Sequence, residues 1–175
     1  AIARTAKTQA DLDKVFFVVA ADPPHKTAAV SSAEMRTTMT AAALEGEAGF
    51  ELCRIELDRP GPSYTVDTLT LLKASAPGAA LFFIVGYDSA LDLPKWHQPR
   101  EILRLATLLI APRPQNATPL PPLLKERYKM LVMPEYPLAS SEIRARLRRG
   151  ETVTEALPPA VARIIQEKRL YQQCR

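Results

Sequence analysis

The stretch LFFIVGYDSALDLPKWHQP, Leu81 to Pro99, decides how the chain is built. Leu81-Phe82-Phe83-Ile84-Val85 is apolar without interruption, and Gly86 closes the run. A strand covered on both faces reads this way, because neither side of its pleat meets water. Phe16 to Ala20 and Thr107 to Ala111 are runs of the same kind. Phe50 to Leu57 instead alternates, with Cys53, Ile55 and Leu57 on one face and Arg54, Glu56 and Asp58 on the other, so it belongs towards an edge. Met130 to Met133 is a shorter candidate strand.

Helical patterns fill the gaps at Ser32 to Leu44, Thr65 to Lys73, Pro99 to Leu105, Ser141 to Arg149 and Pro159 to Leu170. Ala1 to Ala10 reads as the last turns of a helix, and Asp11 to Lys14 as the turn after it. Strand alternating with helix predicts an α/β fold: a doubly wound, Rossmann-like, mostly parallel sheet with flanking helices. With 175 residues, 47% apolar and 24% charged, the chain has the composition of a soluble globular protein. It is long enough to bury roughly two-thirds of its unfolded surface in a single domain, 1–175.

The two cysteines, Cys53 and Cys174, have no metal-ligand spacing, and there are only two histidines. A zinc site or disulfide framework is therefore not expected. No apolar run has the length of a membrane span and no signal-peptide pattern precedes Phe16, so the expected compartment is a reducing cytoplasm. The net charge is +4, with basic residues clustered late in RARLRR and EKRLYQQCR. Such clusters suit a nucleic acid or a phosphorylated small molecule, but a solvated helix face is the plainer account, and no nucleic-acid partner is expected.

In open sheets of this class ligands sit at the carboxyl ends of the strands. After the first run comes ADPPHKTAAV, where His25 and Lys26 form either a small anion clamp or the polar tips of a rigid turn. After the edge strand, RPGPSYTVDTL stiffens a loop with Pro60, Gly61 and Pro62, and Ser63 or Thr65 is placed to cap a helix. That helix start offers free N–H groups to a carboxylate or phosphate. After Val85, Gly86 allows close approach of a ligand and Asp88 is placed to accept from ribose hydroxyls. Trp96, the single tryptophan, is either a core plug or an aromatic platform for a heterocycle. In YPLASSEIRARLRRG, Ser140 or Ser141 is a natural N-cap and Gly150 a stop. Arg144 sits in the first turn, where the macrodipole disfavours a cation unless an anion binds there.

The chain has no nucleophile elbow, no carboxylate pair, no Walker loop and no dinucleotide glycine fingerprint. Several anion sites without a protein nucleophile suit a reaction between two phosphorylated substrates, with the protein supplying geometry and charge neutralisation.

DPPHK, PSYTVDTL, FIVGYDSALDLPKWH and SSEIRARL, in this order and spacing, resemble the bacterial nicotinate-nucleotide adenylyltransferases, from Ala1 to about Tyr171. The resemblance implies transfer of AMP from ATP to nicotinate mononucleotide, with Mg²⁺ bound with the ATP and pyrophosphate released. It implies that Trp96 stacks on the pyridine ring and that the amides around Thr65 and His97, in the segment of Ser63 and Tyr64, hold its carboxylate. His25 and Lys26 lie near the mononucleotide phosphate, and Gly86 and Asp88 shape the nucleotide and ribose site. Ser140, Ser141 and Arg144 hold the ATP phosphates, and His25, Lys26 and Arg144 are the catalytic candidates.

The family's G-x-F-x-P-x-H-x-x-H signature, and the strand before it, find no match in this chain. The resemblance places that strand between those of Phe16 and Leu81, so two apolar edges facing a slot are expected, and a bare chain with little activity. An incomplete sequence is the simpler account, and real loss the other. Two alternatives stay open: a sister nucleotidyltransferase with another phosphorylated acceptor, and a non-catalytic nucleotide-binding relic. Assembly into a homo-oligomer is also left open, and no membrane partner is expected.

Overall fold

The computed structural model describes residues 1–22, 31–113, 118–134 and 140–171. In chain order its elements are α1 (Ile2–Gln9), β1 (Val15–Val18), α2 (Ala33–Leu44), β2 (Phe50–Cys53), α3 (Thr65–Ser75), β3 (Phe82–Gly86) and α4 (Tyr87–Asp92). α5 (Pro99–Leu105), β4 (Thr107–Ala111), β5 (Tyr128–Met130), α6 (Ser140–Arg148) and α7 (Pro159–Glu167) follow. Every described strand pair is parallel. Val15 stands opposite Phe50, Phe82 opposite Thr107, and Leu108 opposite Tyr128. The strands form two sheets, β1–β2 and β3–β4–β5, and β1 is not bonded to β3 among the described residues.

β4 shows why the chain is wound on both faces. Leu108 and Ile110 point into one core with Val66 and Leu69 of α3 and Ile102 and Leu103 of α5. Leu109 and Ala111, one residue out of phase, point into another with Ala6 of α1 and Leu131. The period of two thus sends alternate residues under helices on opposite sides, giving a doubly wound, Rossmann-like α/β fold. β1 departs from the expected double cover, since Phe16 is 45% exposed.

α1 is tied to both sheets. Gln9 exchanges two hydrogen bonds with the backbone of Val132, at 2.5 and 2.9 Å. On the other side Arg4 pairs with Glu47, and Lys7 Nζ donates to the carbonyls of Leu12 and Asp13. Gly49, at φ 78, lies against Lys7, and a Cβ there would stand 2.7 Å from Lys7 Cε. The position favours glycine for its left-handed backbone, since the end of the Lys7 side chain can move aside. α2 closes the other end: Arg36 Nη1 donates to the Ala20 carbonyl at 2.6 Å, and α7 packs on α2.

Several boundaries differ from the sequence pattern. β2 stops at Cys53, although the alternation runs on to Leu57, because the N–H groups of Leu57 and Asp58 both turn back to the Arg54 carbonyl. β5 precedes the apolar run at Met130 to Met133, since β4 sets its register through Leu108 N–H to Arg127 O and Leu131 N–H to Ile110 O. Tyr87–Asp92 is a helix too short to show a period. Among the described residues no helix is long and apolar enough to cross a membrane.

Candidate active site

The carboxyl ends of parallel strands share one side of the molecule, so the loops that leave them meet. Those after β1 and β2 are joined by a reciprocal pair: Ser63 N–H donates to the Asp22 carbonyl at 2.9 Å, and Asp22 N–H donates to Ser63 Oγ at 3.2 Å. This corrects the expectation that Ser63 or Thr65 caps α3. Ser63 Oγ is taken by Asp22, Thr65 is already helical, and the N-cap is Tyr64, with no side-chain cap. Among the described residues the N–H groups of Thr65 and Val66 have no partner. An uncapped helix start of this kind favours an anion.

Tyr64 lies on His97, with ring centroids 4.4 Å apart and planes 31° apart. The contact brings the PSYT loop against the Trp96–His97 segment, which the sequence separates by some thirty positions. Trp96 is half-buried and meets Phe83 edge-on at 6.1 Å. Part of it plugs the main core and part stays exposed beside His97. Gln98 takes a left-handed φ of 51, turning the chain from this pair into α5.

A second cluster stands where β3 and β4 end. Gly86 precedes α4 with φ −77, which any residue adopts, so its contribution is room: no atom lies within 4 Å of where a Cβ would stand. Asp88, in the first turn of α4, pairs with Arg113, two residues past β4. Tyr87 Oη donates to the Thr118 carbonyl at 2.7 Å.

On α6 the arginines divide. Arg146 is held by Glu155 at 2.8 Å, by Glu151 and by the Thr152 carbonyl, and Arg149 by Glu151. The hydrogen bond to Glu155 raises the Arg146 pKa, and that to Glu151 raises the Arg149 pKa. Arg144 is half-buried and makes no hydrogen bond or ion pair among the described residues. Ser140 and Ser141 are not caps as expected, because both lie inside the helix. Gly150, at φ 76, ends α6 by donating to the Leu147 carbonyl. The described contacts join neither the Tyr64–His97 pair nor the Asp88–Arg113 pair to Ser140, Ser141 and Arg144. His25 and Lys26 lie outside the described residues.

The family model for cytidylyltransferase-like proteins matches residues 1–146. A probable nicotinate-nucleotide adenylyltransferase of Trichlorobacter lovleyi is 36% identical over 193 residues, covering 98% of this chain and 91% of its own. One from Thermus thermophilus is 42% identical over 164 residues, covering 92% and 84%. The chain belongs to the nicotinate-nucleotide adenylyltransferase family. Among solved structures, the Plasmodium falciparum nicotinic acid mononucleotide adenylyltransferase complexed with NaAD superposes with a TM-score of 0.76. It is 18% identical, with 91% of this chain and 83% of that one covered. The same enzyme complexed with APC gives 0.75. At such identities the likeness concerns the fold.

For this adenylyltransferase family member, Arg113 is the residue the sequence pattern left unassigned. Its signal was positional, since it follows a strand just as Asp88 does, but the charge alone did not mark it. Nucleotidyltransferases generally use a divalent metal together with the nucleoside triphosphate. Among the described residues no group of three His, Cys, Asp or Glu is placed to hold a metal ion.

Proposed function

We propose that the protein transfers AMP from ATP to nicotinate mononucleotide, giving nicotinate adenine dinucleotide and pyrophosphate, a step of NAD biosynthesis in the cytoplasm. The observation that carries this reading is the Tyr64–His97 stack, at 4.4 Å. It brings Tyr64, the N-cap of the uncapped α3, against the residue that follows Trp96. A flat ring bearing a carboxylate needs that combination: an aromatic face for the ring and free amides for the charge. Trp96 stacks on the pyridine ring, and the amides of Thr65 and His97, flanked by Ser63 and Tyr64, take the carboxylate. A helix start favours the acid over the uncharged amide.

Gly86 and Asp88 receive the nucleotide ribose. Ser140, Ser141 and the unpaired Arg144 receive the ATP phosphates, and His25 and Lys26, assigned from sequence alone, the mononucleotide phosphate. A phosphate oxygen of the mononucleotide attacks the α-phosphorus of ATP in line. The new P–O bond forms as the bond to the β-phosphate breaks, and pyrophosphate departs with its electron pair. These residues orient the two phosphates and neutralise their charge. Mg²⁺ enters bound to ATP.

The single tryptophan makes fluorescence specific to the site. Nicotinate mononucleotide should quench it saturably, nicotinamide mononucleotide more weakly, and pyrophosphate should form once ATP is added. By calorimetry, Trp96→Ala should weaken mononucleotide binding on the order of tenfold or more and leave ATP binding within about twofold. Binding of ATP with no response to the mononucleotide would overturn the assignment.

A further inference from the structure

Glu56 and Thr68 are the polar residues buried in the core among those described, 7% and 6% exposed. Glu56 lies in the turn after β2 and Thr68 in the first turn of α3. Thr68 Oγ1 donates to Glu56 Oε1 at 2.5 Å across 12 positions of chain. The Tyr64 carbonyl lies 3.3 Å from the same hydroxyl, whose single proton serves the shorter contact. A buried carboxylate is costly unless it is paired, and Arg59 stands close by in sequence. Yet Arg59 turns its Nη1 towards Asp67, at 3.7 Å, while its Nε and Nη2 are buried without a partner. Glu56 and Arg59 do not pair with each other in the described contacts. The network gives the carboxylate to a hydroxyl and leaves two buried guanidinium nitrogens without a partner among the described residues, the kind of local inconsistency that accompanies functional sites.

The Glu56–Thr68 bond clamps both ends of the segment that carries Ser63, Tyr64 and Thr65. That segment is otherwise held at its middle by Asp22 and at its tip by the stack on His97. We infer that Glu56 and Thr68 are positioning residues for the mononucleotide: their buried hydrogen bond fixes the free amides of α3 and the Tyr64 ring at the spacing the ligand requires. The inference rests on the proposed function. Neither side chain touches the ligand. Both act through the backbone they hold, so ATP binding at the other end of the site should not depend on them.

The decisive variant is the double one, Glu56→Met with Thr68→Val, which removes both polar partners and keeps their volumes. Such paired replacement is nearly neutral for stability, so Tm should stay close to wild type. Nicotinate mononucleotide affinity, read by Trp96 fluorescence, should fall on the order of tenfold, with ATP affinity by calorimetry within about twofold. Thr68→Val alone gives a second route: it should lose affinity similarly, and Thr68→Ser should recover it to within about threefold. Mononucleotide binding unchanged in the double variant overturns the inference, as does equal weakening of both ligands, or Thr68→Ser matching Thr68→Val. A wild-type chain that binds no nicotinate mononucleotide overturns the proposed function, and this inference with it. A wild type that binds beside a double variant that binds equally overturns the positioning role alone.

Discussion

β4 and β1 look alike as sequence, TLLIA against VFFV, and fare differently in the fold. Leu108, Leu109 and Ile110 of β4 are fully covered, with α3 and α5 on one side and α1 on the other. Phe16 of β1 is 45% exposed, and α2, which packs beside β2, buries no residue completely. The β3–β5 half is therefore covered on both faces, whereas the β1–β2 half buries Val15 and Val19 but not Phe16, and adds ties from Lys7 and Arg4 of α1, Arg36 of α2 and the Asp22–Ser63 pair. The aromatic part of the candidate site spans these halves. Its loop leaves the loosely packed sheet and comes to rest on a histidine of the firmly packed one.

The largest expected effect comes from cutting into the core. Leu109→Ala should cost about 2–5 kcal/mol in urea unfolding, and Phe16→Ala less than about 1 kcal/mol because its ring is already half in water. Equal costs would break the comparison. Amide exchange sharpens it without mutation: β3 and β4 should be protected about 10- to 100-fold more than β1 and β2, and uniform protection would mean one cooperative body.

On α6 the same division between site and scaffold is expected between neighbours. Arg144→Ala should weaken ATP binding on the order of tenfold at unchanged Tm, whereas Arg146→Ala should lower Tm slightly and leave ATP affinity alone. The reverse would exchange their roles. The smallest effect concerns acid. The Glu151 pKa is lowered, first by the Arg149 hydrogen bond, and that of Glu155 first by a backbone hydrogen bond and then by Arg146. Folded-state values below the unfolded ones mean stabilisation that is present above the ordinary carboxylate range and lost as pH falls through the lowered values. Carboxyl chemical shifts should titrate late, with the link between α6 and α7 loosening there while β4 amides stay protected.

Where an element is bounded by its own chemistry, the sequence is enough. β4 ends before Pro112, α5 opens on Pro99, and α6 stops at Gly150. Where a partner decides, it is not. The apolar run at Met130 to Met133 suggests a strand, but pairing to β4 starts it at Tyr128. The alternation to Leu57 ignores the turn that closes on Arg54. In the candidate site, a helix opening at Thr65 and the half-buried Trp96 after β3 follow from residue type and position, but the missing side-chain cap on α3 does not. That Ser63 serves Asp22, that Tyr64 rests on His97, and that Arg113 pairs with Asp88 are contacts between distant segments, which no local pattern encodes.

Gln9 and Val132, bonded to each other across 123 positions, set an order of events during synthesis. α1 is made long before the strand end it docks on. At about 5–20 residues per second, roughly 6 to 25 s separate the two. Leu109 and Ala111 of β4, which cover Ala6, follow it by roughly 5 to 21 s at the same rate. Until then the nascent chain carries an unsatisfied helix face, and that is when chaperone engagement is expected to be greatest.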